Sequence, residues 1–202
     1  MLHQTIPAEL PRAQGRIRAE FGLAGGVTRR LRLFQSGSAK AMLPPAPGCE
    51  VVLLNTSGGL TGGDRMEIEV TQEPRTTLLV TTQTAERAYR STSGRARVSA
   101  RFSVAAGAHL DLLPQETILF DRAALHREQD IALEGDATCL WAETLILGRA
   151  AMGEVMAHGS FKEAASTDRV VFVETLADDA TQVRNVFINS IQHGKLGVTM
   201  AA

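Results

Sequence analysis

Four acidic residues stand at the ends of apolar runs: Glu116 and Asp121 flank TILF, and Glu143 and Glu154 flank TLILGRAAMG. A pair of carboxylates facing each other across a cleft is the minimum equipment of a glycoside hydrolase. The same residues could instead hold a divalent cation weakly, since carboxylate oxygens suit metals that are passed along rather than kept. A second chemical candidate is NTSGGLTGGDR, residues 55 to 65, with Gly58, Gly59, Gly62 and Gly63 in six positions. Gly58 and Gly63 have the separation of the two P-loop glycines, but that motif continues with Lys and a hydroxyl residue. Here Asp64 and Arg65 follow, and a carboxylate would repel a triphosphate. The dinucleotide fingerprint G-x-G-x-x-G is absent too, because the glycines come as adjacent pairs. The loop therefore reads first as a shaped turn using positive φ. His3, His109, His126, His158 and His193 are scattered without zinc-site spacing. Neither Cys49 nor Cys139 sits in a catalytic signature.

The elements that must position these residues are strands. Met66, Ile68 and Val70 alternate with acids, Leu31 and Leu33 with arginines, and Val98, Ala100, Phe102 and Val104 with polar residues. This period-2 pattern predicts half-buried strands with one wet face. EIEVTQEPRTTLLVTTQT, RFSVAAGAHLDLLPQET and DIALEGDATCLWAET each read as strand, tight turn and second apolar strand. Three such copies at intervals of roughly 30 residues argue for stacked layers sharing one core rather than a closed barrel. The fold expected is all-β, stacked strand–turn–strand layers that are β-helix-like or sandwich-like, with few short helices. One short helix is expected near Lys162 to Ala165, with strands at Val170 to Glu174 and in RNVFINS. Trp141, inside CLWAETLILG, is expected in the core. Arg95, Arg97 and Arg101 would share a strand face, a solvated one by default.

The 202 residues are 44% hydrophobic and 21% charged with a formal net charge of −1, values ordinary for a globular domain. That balance points away from nucleic acid. No apolar run approaches membrane-spanning length, and MLHQTIPAELPRAQ has no secretion-signal pattern. Two cysteines far apart fit reduced thiols in the cytoplasm.

Taken together, GGLTGGDR at 58 to 65, TTLLVTTQTAERAYRS, LPQETILFD at 113 to 121 and WAETLILGRAAMGE at 141 to 154 resemble the UreD (UreH) family of urease accessory proteins. The resemblance covers residues 15 to 160, after a flexible arm at 1 to 14. It leaves a shortened and divergent C-terminal segment at 161 to 202. It implies a non-enzymatic scaffold that couples UreF and the UreG GTPase to apo-urease for nickel insertion, with room for homodimerisation within the complex. It also implies transient nickel(II) rather than a tightly bound cofactor, with GTP held by UreG alone. By this resemblance Asp64, Glu116, Glu143 and Glu154 are candidates for a nickel path. Gly58, Gly59, Gly62, Gly63, Arg65, Gln115, Phe120, Gly148, Arg149 and Gly153 are then structural or partner-contact positions. A carboxylate-based hydrolase is the alternative.

Overall fold

The computed structural model describes residues 11–149, 152–154, 156–167, 170–179, 182–186 and 194–201. The first strands are β1 (Gln14–Ala24), β2 (Val27–Gly37), β3 (Ala39–Met42) and β4 (Glu50–Asn55). Then come β5 (Arg65–Gln72), β6 (Thr77–Thr82), β7 (Glu86–Ala88), β8 (Ala96–Val104), β9 (His109–Leu112) and β10 (Thr117–Leu119). The last are β11 (Ala124–Leu133), β12 (Thr138–Leu147), β13 (Ser160–Thr167), β14 (Val170–Asp179), β15 (Gln182–Val186) and β16 (Gly194–Ala201).

The three sequence copies become β5–β6, β8–β9 and β11–β12, and β13–β14 adds a fourth layer. In each layer the chain lays one strand in a first sheet, turns, and lays the next in a second sheet. The first sheet runs β16-β13-β11-β8-β5-β1-β2 and the second β15-β14-β12-β9-β6-β4-β3. Neighbouring layers pair in parallel and in register, as in Glu67 beside Ser99 and Ser99 beside Glu128. Antiparallel partners finish the ends: β2 on β1, β3 on β4, β16 on β13 and β15 on β14. The expected stacked all-β architecture is observed, in its β-solenoid form.

Between the two sheets lies one apolar core, which includes Ile17, Phe21, Val51, Leu78, Phe102, Leu110, Ile131 and Trp141. Trp141 is fully buried, as its setting predicted. Burial of this kind supplies about 25 cal/mol per Å² of apolar surface removed from water. Cys49 and Cys139 are both free thiols. Burial, and then the charge of Asp111, push the Cys139 thiol up to about 12. No helix among the described residues is long and apolar enough to cross a membrane.

Two expectations are corrected. Lys162 to Ala165 is not helical; it lies within β13, paired with β11 on one side and β16 on the other. Phe161 is fully buried, so a ladder partner and an inward aromatic override the helical propensity of Glu-Ala-Ala. Second, β2 is not half-buried. Among the described residues it is the end strand of its sheet, with no layer beyond it, and Leu31 and Phe34 are 46% and 53% exposed. The strand expected at Val170 to Glu174 is present in β14, and β15 takes in Arg184, Asn185 and Val186, the part of RNVFINS that the described residues cover. Residues 1 to 10 of the expected arm lie outside them, whereas Gln14 already belongs to β1.

Candidate functional site

The glycine loop and the motifs LPQETILFD and WAETLILGRAAMGE meet on a third, narrow side of the stack. There β7 pairs with β10, and β10 with the end of β12, all in parallel, while Leu60 bridges to Ala88. Equivalent positions therefore stack. The Tyr89 ring stands edge-on to Phe120 at 4.8 Å, and the Arg149 guanidinium lies 4.4 Å from the Phe120 centroid. Glu154 forms an ion pair with Arg149. Gly148 sits at φ 72 and donates its N–H to the Leu119 carbonyl. Gly153, at φ 70, has open space where a Cβ would go. Gly59 packs its backbone under the Tyr89 ring, and Tyr89 Oη donates to the Gly58 carbonyl at 3.3 Å.

Asp64 is buried and fully engaged. One oxygen accepts from the Ala13 N–H and the other from the Thr61 N–H, each at 2.8 Å. It locks the loop to the start of β1. At the same corner Gly63 donates to the Arg95 carbonyl, and Arg65 donates its N–H to the Ala13 carbonyl. Gly62 lies against Ser91 and the Ser93 carbonyl, where no side chain fits.

Behind this wall lies a cavity of about 150 Å³. It reaches the surface beside Gly58, Gln83, Thr84 and Gln115, all exposed. Gln115 also donates its N–H to the Thr82 hydroxyl. The inner wall is apolar on one flank, with Ile17, Ile68 and Phe102, and polar on the other, with Asn55, Glu86, Thr117, Arg127, Gln129 and Glu143. The polar flank arises because Arg127 and Gln129 occupy the inward register positions beside Val98 and Ala100. Glu143 likewise follows Cys139 and Trp141 on the inward parity of β12.

Glu143 is held from both sides: Arg127 donates to Oε2 at 2.7 Å and Gln129 donates to Oε1 at 2.9 Å. The second guanidinium nitrogen of Arg127 donates to the Thr117 hydroxyl at 3.1 Å. Glu86 is less tightly held. Asn55 Nδ2 donates to its two oxygens at 3.2 and 3.4 Å. Burial pushes its carboxyl above the ordinary range, against the Arg87 N–H, the Asn55 amide and the Arg87 and Arg127 charges. Folding therefore tightens its proton, so its contribution to stability is present in acid and lost as pH rises through the raised value. Glu86→Gln is expected to raise Tm over the parent more at about pH 7 than at about pH 4. An equal difference at both would contradict this.

Of the acidic sequence candidates, only Glu143 lines the cavity, whereas Gly58, Gly59 and Gln115 border it. Glu116 is half-buried outside it. Glu154 is spent on Arg149, and Asp121 accepts from the N–H groups of Ala157 and His158 at 3.0 and 2.9 Å. Those N–H groups, above all that of His158, hold the Asp121 carboxyl below its usual range. No two of these four therefore face each other across this cavity. Among the described residues no group of three or more His, Cys, Asp or Glu side chains could hold a metal ion. Sequence reasoning missed Glu86, which sits in QTAERAYR without periodic context. It also missed Arg127 and Gln129, whose odd-numbered parity with Leu125, Ile131 and Leu133 was the available signal.

Fold and site define a class: a parallel β-solenoid whose layers enclose a hollow with one polar wall. The family model described as UreD urease accessory protein matches residues 13–187, reaching into β15. The chain belongs to the UreD urease accessory protein family. It is 46% identical over 179 residues to urease accessory protein UreD of Cereibacter sphaeroides, covering 86% of this chain and 65% of that protein. It is 51% identical over 150 residues to that of a Chelativorans species, covering 73% and 54%. The Agrobacterium fabrum relative is 46% identical over 159 residues, covering 78% and 56%. The chain thus spans between 54% and 65% of the length of these relatives.

Proposed function

We propose that this chain is a non-enzymatic factor of urease maturation, a scaffold that couples UreF and UreG to apo-urease for nickel insertion. The observation that carries this reading is the polar-walled hollow inside the stack of a UreD-family chain. Its oxygen donors, the Glu86 and Glu143 carboxylates with the Asn55 amide and the Thr117 hydroxyl, are hard ligands on a wall that already carries a guanidinium. Such a wall suits an ion in passage rather than one retained. Nickel(II) is cargo here, GTP belongs to UreG, and the setting is the cytoplasm. Asp64 locks the loop outside the route, and Glu116 and Glu154 stand off the cavity. The exposed loop and motif surface around Gln115 and Arg149 then serves partners, with room for two copies in one complex.

The test is nickel loading of apo-urease in a reconstituted mixture with UreF, UreG and GTP. Glu86→Gln keeps the shape of the wall and the amide contact but removes a charge. It is expected to lower the nickel content of urease severalfold while the complex stays assembled. Unchanged loading would take the interior out of the route.

A further inference from the structure

The outward face of the first sheet carries its charges in rows, because in-register strands set equivalent positions about 4.8 Å apart. One row reads Arg18, Glu69, Arg101, Asp130. It alternates in sign, and Arg18–Glu69 and Arg101–Asp130 are ion pairs. The row before it reads Arg16, Glu67, Ser99, Glu128, with Arg16 paired to Glu67 at 3.4 Å. The row at the strand starts breaks the rule: Arg65 aligns with Arg97, Arg97 with His126, and His126 with Lys162.

Like charges on adjacent rungs destabilise a sheet, so Arg65 directly beside Arg97 needs a reason other than stability. Arg65, Arg97 and Lys162 are exposed. Among the described residues neither Arg65 nor Arg97 takes part in an ion pair. A surface cavity of about 190 Å³ opens beside this row, lined by Arg65, Arg97, His126 and Ser99 together with Glu67 and Glu128 of the next row. His126 Nε2 is buried there without a hydrogen-bond partner, 3.3 Å from Glu128.

The geometry points to a docking strip for an acidic helix of a partner protein, laid along the stack with one carboxylate per rung. A helix repeats a side-chain row about every 5.4 Å, close to the rung spacing of about 4.8 Å. Glutamates spaced alternately by three and four residues, as at i, i+3, i+7 and i+10, rise about 1.5 Å per residue and so keep step with the rungs of Arg65, Arg97, His126 and Lys162. The bordering Glu67 and Glu128 would repel the continuous charge of a nucleic acid, whereas a helix presents a single acidic stripe. This strip lies on the opposite side of the wall from the hollow's interior and stands independently of the maturation role.

The experiment uses the full chain and a fluorescent helical peptide with glutamates at i, i+3, i+7 and i+10, read by anisotropy at low salt. Saturable binding is expected, weakening with added salt and falling about tenfold or more in Arg65→Gln/Arg97→Gln. Arg18→Gln/Arg101→Gln, in the alternating row, should retain the parent's affinity. Matching thermal unfolding curves establish that both variants are folded, and the single Arg97→Gln variant stands in if the double is not. No binding, equal binding by both double variants, or stronger competition by duplex DNA than by unlabelled peptide would overturn the proposal.

Discussion

Glu143→Ala is expected to destabilise the fold by about 3–5 kcal/mol, the largest effect of any single charged residue in the hollow. The Glu143 and Arg127 side chains are only 5% and 11% exposed, so removing the carboxylate leaves a guanidinium in a low-dielectric interior. Gln129 loses an acceptor at the same time. The pair itself need not stabilise: desolvating two ions offsets much of their attraction. Replacing both, as Arg127→Met/Glu143→Leu, is therefore expected to recover most of the loss. Urea unfolding of the three proteins checks this through the midpoints at constant slope. A single variant as stable as the parent, or a double variant worse than the single, would contradict the arrangement. Recovery would also imply that the pair is kept for its polarity within the hollow rather than for stability.

Gly59→Ala is the second large effect, and its neighbour is the control. Gly59 has φ 143, and a Cβ there would come within 2.7 Å of the Arg87 carbonyl and 2.4 Å of the Tyr89 ring. Backbone strain and overpacking, at about 1–3 kcal/mol each, both apply. The Arg87 carbonyl cannot move freely, since it accepts the Leu60 N–H at 2.7 Å. Gly58 has φ 80 but open space beyond it, so Gly58→Ala meets only the left-handed strain, about 1–2 kcal/mol. The ordering of the two midpoints is the readout. Equal losses would mean that Gly59 is kept for its φ alone and that the packing under Tyr89 is immaterial.

That contrast shows where the sequence was legible. Alternation at Met66, Ile68 and Val70 and at Phe102 and Val104 announces strands directly, because a sheet face buried on one side imposes period 2. The three copies announce layers, because each leaves an apolar face that only a neighbour can cover. Asp64 and Arg65 argue against phosphate in GGLTGGDR, although the glycine spacing there matches a P-loop. That spacing did not distinguish Gly58, which needs only φ, from Gly59 and Gly62, which need an absent Cβ. The polar wall was hidden for a different reason. LHREQDIAL looks like a charged, solvated strand until the stacking fixes its parity, and then Arg127 and Gln129 point inward. Glu86 joins them through a ladder three residues long, too short to leave a periodic trace. Lys162 to Ala165 misled because local propensity there opposes what the layers on both sides supply.

The scaffold role is tested most directly by mixing the purified chain with UreF and UreG and following all three on a sizing column. The account predicts one co-eluting complex that contains the 202-residue chain, and that takes up apo-urease when it is added. A folded chain that elutes alone in the presence of both partners would contradict it.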